Sequence, residues 1–334
     1  MTTVDVHAHL IQLDALDEFR SVYPDLGPEL VERENGYYLR YPGRDPLGPI
    51  ARSMFDVETR LADMDAMRVG LQVLAVPPSQ FAYHIEPRAG ADSARLQNDA
   101  AIALSDRFPD RIHVFCTLPL QDPPAAVREV ERIAGHGRVR GVEIGSNVDG
   151  VNLDAPELDP VWAALTGAQL PVWVHPDQRA VGGGERLRSY YLTNLVGIPF
   201  ESTIAIACLI FGGVLERHPA LRFGFVHGGG FAPYQMGRWD HGWSCRPESK
   251  SVVGEPPTTY FLRMFFDTLT HDPDSLLLLG RRVGWRHVML GSDYPFDMAN
   301  LEAVAAVEEL GLPETDESAV LSGNAEAFLR PLPE

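Results

Sequence analysis

The sequence predicts one α/β domain over residues 1–334, a (β/α)8 or TIM barrel with a small insertion after its first strand. Three observations predict it. Eight short runs rich in β-branched and aromatic residues alternate with stretches of helical period along most of the chain. Four of those runs end on His or Asp, and the C-terminal strand ends are where such barrels build their sites. A hydrophobic content of 45% over 334 residues is enough for a single large core.

The first expected strand is Thr3–Leu10, reading Val4-Asp-Val-His-Ala-His-Leu10. Side chains two apart on a strand share a face, so His7 and His9 aim at one point. Residues 14–55 then break the rhythm, being irregular and rich in Pro, Gly and Tyr. Within them Leu30–Tyr41 is a hairpin signal with Asn35-Gly36 as its two-residue turn. An insertion at this point of a barrel lies on the active-site face, so 14–55 is expected to form a flap over the site. Helical period follows over Val57–Met67, then strand Gln72–Val76, helix Ala94–Arg107, strand Ile112–Leu118 and helix Pro124–Ile133. Strands Gly141–Ser146 and Pro171–Pro176 come next, and the Gly-rich loop 177–192 after them is expected to overhang the site. Helix Ser202–Arg217 and strands Arg222–His227, Met264–Thr268 and Val288–Asp293 complete the alternation.

A formal net charge of −18 argues against a nucleic-acid or anionic-membrane partner, since both need a cationic surface. No apolar run looks long enough to span a bilayer, and Asp5 and His7 stand where a signal peptide would be apolar, so a cytoplasmic protein is expected. Cys116, Cys208 and Cys245 are far apart and odd in number, as befits reduced thiols rather than a disulfide frame.

Taken singly, a histidine on an apolar strand is an ordinary hydrogen-bonded core residue. Taken together, His7, His9, His175 and Asp293 supply three neutral nitrogens and one carboxylate, suited to one divalent ion. Zn2+ fits best, with Mn2+, Co2+ or Fe2+ as alternatives. His227, followed by three glycines, is left free as general acid or base, with Asp293 assisting. A carboxylated lysine bridging two ions is excluded, because the one lysine, Lys250, lies outside any strand. Glu143 on the fourth strand is expected to be a satisfied interior carboxylate or to orient His175, ahead of a role as second-metal ligand. His84, on the loop after the second strand, is a candidate substrate contact.

With these residues in place the chain resembles the amidohydrolase superfamily, in its branch of metal-dependent, non-oxidative decarboxylases like 2-amino-3-carboxymuconate-6-semialdehyde decarboxylase. The likeness runs nearly end to end. It is carried by Asp56-Val-Glu-Thr-Arg60 to Met64-Asp65, Thr117-Leu-Pro-Leu-Gln121, Val174-His-Pro176 and Ile204-Ala-Ile206. Val226-His-Gly-Gly-Gly230, Gly237-Arg238, Gly291-Ser-Asp-Tyr-Pro-Phe296 and Ser322-Gly-Asn-Ala325 continue it. The resemblance implies His7, His9, His175 and Asp293 as metal ligands and His227 as the catalytic histidine. It further implies a homodimer in which Arg238 reaches across to the carboxylate of a small unsaturated or aromatic acid. Two positions depart from the pattern: Gly48 stands where the family carries an active-site arginine, and Asn194 where it carries a tryptophan. Arg40, Arg44 or Arg52 could replace the arginine, and Asn194 is then a substrate contact of different character. Met54, Phe55, Phe81, Tyr83, Tyr190 and Tyr191 are candidates for an aromatic wall or for plain packing. The same centre can also run a hydrolase or hydratase reaction on an amide, lactone or enol acid, so that alternative stays open.

Overall fold

The computed structural model describes residues 2–43 and 45–331. Its centre is an eight-stranded parallel sheet in sequential order, with helices between the strands. The strands are β1 (Val4–His9), β2 (Leu71–Ala75), β3 (Ile112–Thr117), β4 (Val139–Gly145), β5 (Val172–His175), β6 (Phe223–Phe225), β7 (Phe265–Asp267) and β8 (Val288–Met289). Backbone bonds from Val6 N to Leu290 O (3.0 Å), Asp293 N to His7 O (2.8 Å) and His9 N to Tyr294 O (2.8 Å) join the last strand to the first and close a (β/α)8 barrel. All eight expected strands are present, most of them trimmed by a residue or more at the ends.

The barrel has two apolar compartments. The outward strand faces pack with the helices, as Ala8 and Leu10 do with Met64 and Met67. The interior is filled by Val4, Val6, Phe115 and Trp173, and Phe328 and Leu329 at the C-terminus belong to the same cluster. Trp173 stacks on Phe115 with centroids 6.2 Å apart and meets Phe328 edge-on at 5.7 Å.

A β-bulge in β1 sets up the site. The register with β2 runs Asp5↔Gln72 and then Ala8↔Leu74, so β1 spends one residue more than its neighbour. The extra residue resets the alternation: Val4 and Val6 fill the interior below it, while His7 and His9 point inward above it.

The helices start where the sequence supplies caps. Asp56, Asp122 and Asp272 each accept a bond from the backbone N–H three residues on, at 2.9, 3.1 and 2.7 Å, and Pro follows two of them at the first helical position. The expected helix 94–107 begins earlier, at Pro87. The expected helix 202–217 is broken after Phe211 by Gly212 and Gly213, the latter at φ +72°. It starts earlier, and the stretch Thr193–Phe211 has the length and apolarity of a membrane span (19 residues, mean hydropathy 1.7), contrary to the sequence expectation. Yet its Glu201 is buried and bonded to Asn147 (2.8 Å) and to Gly182 N, so here it is a helix packed on the barrel.

The insertion is more ordered than its composition suggested. It contains a helix, Leu13–Val22, burying Ala15, Leu16 and Phe19. A three-stranded antiparallel sheet follows over Glu29–Arg33, Gly36–Arg40 and Leu47–Ile50. The hairpin is present, but its turn is Glu34-Asn35. Gly36 already pairs with Arg33 and takes the positive φ, +133°.

Candidate metal centre

Four rings meet where β1, β5 and β6 end. The His7, His9, His175 and His227 rings lie with centroids 5.1–5.2 Å apart in five pairings. Asp293, just after β8, completes the group, and one ligand atom from each of His7, His9, His175 and Asp293 lies within 4.8 Å of the others.

The Nδ1 atoms fix which nitrogen is free. His9 Nδ1 donates to Val76 O (3.2 Å), His175 Nδ1 to Pro176 O (2.8 Å) and His7 Nδ1 to Asp267 Oδ2 (2.7 Å). Each Nε2 therefore offers a lone pair inward, the arrangement second-shell acceptors impose on metal-binding histidines. His7, His9 and His175 Nε2 and Asp293 Oδ1 are all buried without a hydrogen-bond partner. Buried polar atoms without partners are costly, and four converging ones call for a cation. His7 Nε2 and His9 Nε2 each stand 3.2 Å from Asp293 Oδ1, close to the separation of two ligands about 2.0–2.1 Å from one tetrahedral ion. The residues fit a single divalent ion.

The electrostatics agree. Burial pushes His175 well below the ordinary imidazole range and lowers His9, keeping both in the neutral form that ligates. Burial opposes ionisation of Asp293, but His7, His227 and His9 outweigh it and hold the carboxyl well below its usual range. Burial also opposes charging of His7, yet Asp293 and Asp267 raise it well above normal. A buried carboxylate facing three imidazoles favours positive charge beside it, the charge a bound cation would supply.

His227 stands apart from the four. Its Nε2 is 3.5 Å from Asp293 Oδ2, its Nδ1 is buried and unpartnered, and its backbone sits at φ +54°. Such a conformation is strained for a residue with a side chain and needs external support. Asp267 gives it. Its carboxylate accepts from His227 N (2.9 Å), Gly228 N (2.8 Å) and Leu269 N (3.1 Å) besides His7 Nδ1. Sequence reasoning missed Asp267, although a carboxylate closing the apolar run Met264-Phe-Phe was a signal in view.

The family profile described as amidohydrolase matches residues 4–330. The chain belongs to the amidohydrolase family. It is 34% identical over 282 residues to 2-amino-3-carboxymuconate-6-semialdehyde decarboxylase of Dictyostelium discoideum, covering 84% of this chain and 78% of that one. It therefore falls in the branch that the sequence motifs suggested. Among solved structures, 5-carboxyvanillate decarboxylase from Sphingomonas paucimobilis superposes with a TM-score of 0.84 at 23% identity, over 99% of both chains. Dihydroxybenzoic acid decarboxylase from Polaromonas, solved with bound manganese and 2-nitroresorcinol, gives 0.81 at 19% identity, over 98% of this chain and 96% of that one. At these identities the structural matches speak for the fold. The enzyme class expected from the sequence, a carboxy-lyase of this superfamily, is the class these relatives share.

In this amidohydrolase the other expected residues are placed unevenly. Asn194 lines a groove that opens on His227. Arg238 is exposed on the helix Ala232–Cys245 and makes no hydrogen bond or ion pair among the described residues. His84 is exposed on the loop after β2, outside the ligand cluster. Gly48 has φ +147°, and a Cβ there would stand 2.7 Å from the Tyr38 ring and 2.8 Å from Tyr37 O, so an arginine is sterically barred. Arg40 and Arg52 are paired with Glu29 and Asp56, and Arg44 lies outside the described residues. Met54, Phe81 and Tyr83 are core residues. Glu143 departs from expectation: it is buried, its Oε1 has no hydrogen-bond partner, and it lies 4.0 Å from His9 Nδ1 rather than orienting His175. Burial raises its carboxyl well above the usual range.

Proposed function

We propose that the chain is a metal-dependent, non-oxidative decarboxylase of a small unsaturated or aromatic carboxylic acid. The observation that carries this reading is the set of four unpartnered, converging ligand atoms with His227 beside them. His7, His9 and His175 through Nε2, and Asp293 through Oδ1, hold one divalent ion, with Zn2+ favoured by the donor set and Mn2+ the alternative. When bound, the ion supplies Lewis acidity toward a substrate oxygen. His227 delivers a proton to the carbon that bears the carboxylate. The new C–H bond forms with a π electron pair of the unsaturated acid; the carbon–carbon bond then breaks, its electron pair restores the double bond, and CO2 leaves. Asp293 Oδ2 lies near His227 Nε2, where it stabilises the protonated ring before transfer.

Two further parts belong to the reading. The insertion serves as a flap: its small core includes Phe296, whose ring lies 5.1 Å from that of His9. Arg238 serves a second copy of the chain, clamping the carboxylate of the substrate bound there. Its lack of partners among the described residues, and the exposed Phe231 and Tyr234 at the start of the same helix, support a homodimer through this face.

Elemental analysis and a CO2-release screen over unsaturated and aromatic acids test the chemistry. One ion per chain with CO2 release is expected. Metal with water incorporation and no carbon loss favours a hydrolase or hydratase, and no metal after reconstitution overturns the reading. Mixing inactive Arg238→Ala and His227→Ala chains tests the dimer. Part of the activity should return, because one site of each mixed dimer has both residues intact, and no recovery despite subunit exchange counts against the shared site.

A further inference from the structure

Resting on the decarboxylase reading, we infer that the substrate acid carries an uncharged apolar substituent, seated in the groove beside His227. The groove has a volume of about 460 Å3, the size of a small-molecule site. His227, Gly228 and Gly230 are among its lining, so whatever occupies the groove lies against the residue read as the proton donor, while the four ligand residues are not part of the lining. Ile198, Leu269, Leu279 and Met298 are among its apolar lining, and Phe231 and Tyr234 also line it. The first three are deeply buried, whereas Phe231 is 41% and Tyr234 76% exposed, so these two lie toward the open side together with Leu195, His271 and Ser275.

Charge decides the class of occupant. None of the side chains lining the groove is Asp, Glu, Lys or Arg, although the chain as a whole carries a net charge of −18. Its polar lining, Asn194, His227, Thr270, His271 and Ser275, holds no permanently charged group, so a second carboxylate or an ammonium group placed there would lose its hydration without a fixed counter-charge to replace it. Among the polar lining residues, Thr270 already spends its hydroxyl on Asp272 O (3.1 Å). An alkyl or aryl substituent loses nothing on entry and gains contact along the whole length. The site therefore selects a monocarboxylic acid with an apolar arm over a dicarboxylic acid.

The test is a chain-length series: benzoates bearing straight alkyl groups from methyl to butyl at the 3- or 4-position, with affinity for the metal-loaded protein measured by calorimetry. Affinity is expected to rise about fourfold per methylene. In Leu278→Asp, and in Leu195→Asp at a half-exposed position that folding tolerates, the rise should vanish, while Leu278→Met keeps it. Affinity independent of chain length, no binding by any member, or an undiminished rise in both Asp variants overturns the inference. CO2 release is read separately. Release without chain-length dependence overturns this inference alone, and chain-length-dependent binding without release overturns the decarboxylase reading alone.

Discussion

At the scale of single residues, the proposed function divides the centre into groups that would hold an ion and a group that would move a proton. His175 offers Nε2 to the cluster and spends Nδ1 on a carbonyl, so His175→Ala should lose metal and activity together. His227 lies outside the four-atom cluster, so His227→Ala should keep its metal and lose activity by about 10²-fold or more. Metal analysis beside turnover checks both, and a metal-free His227→Ala protein would refute the division. Asp267 joins the two halves. Asparagine has one acceptor oxygen where Asp267 uses two, and its amide would face backbone N–H donors. Asp267→Asn should therefore weaken metal affinity by about 10–100-fold, through a loosened His7, and lower kcat more than it raises KM, through a misplaced His227. Metal titration with steady-state kinetics reads this, and an unchanged metal affinity would show that Asp267 only braces the loop.

At the scale of elements, the strained turn after β6 brings His227 to the mouth of the barrel, and it depends on how closely the next helix approaches. Gly230 has φ +62°, and a Cβ there would stand 2.0 Å from Pro199 O on the helix Ile198–Phe211. Gly230→Ala should cost at least about 2 kcal/mol from overpacking and backbone strain, seen as a lowered unfolding midpoint, and an unaltered midpoint would mean the helix yields freely. Why glycine follows His227 is thus a tertiary fact, whereas its occurrence there was visible in the sequence. The same boundary runs through the rest of the chain. Strand periodicity and strand-end polarity were local, so β1 to β8 and the residues His7, His9, His175 and Asp293 could be read directly. The bulge in β1 could not, because it exists only as a mismatch in length with β2. Nor could the lack of a hydrogen-bond partner at Glu143 Oε1, which depends on strands distant in sequence. The helix Leu13–Val22 was legible in principle, since Leu13, Leu16 and Phe19 fall on one face, but the Pro, Gly and Tyr content around it masked the pattern.

At the scale of the whole molecule, the barrel separates a reactive end from a structural end, and the structural end should respond to pH by itself. His113 on β3 is buried and paired in register with Val73, whose side chain belongs to the interior cluster. Its Nδ1 accepts a bond from Arg140 Nη1 at 2.8 Å, and the Nε of the same arginine donates to the Arg330 carbonyl, tying the C-terminal segment to β4. Burial, and then the charges of Arg140 and Arg138, push the His113 imidazole down to about 4. The folded chain thus refuses a proton that the unfolded chain takes up below about 6.5. Because the unfolded state binds more protons between these values, stability falls as pH drops through the window, by about 2 kcal/mol at pH 5 relative to neutral pH. In His113→Asn the side-chain carbonyl can still accept from Arg140 but nothing titrates. The stability difference between wild type and variant, measured by denaturant unfolding under identical metal conditions, should shift by that amount against the wild type between neutral pH and pH 5. Other titrating groups, the metal ligands included, cancel in the difference. A difference that stays constant with pH would show that His113 is reached by solvent or protonated in the fold. The acid sensitivity of the chain would then belong to the metal end of the barrel.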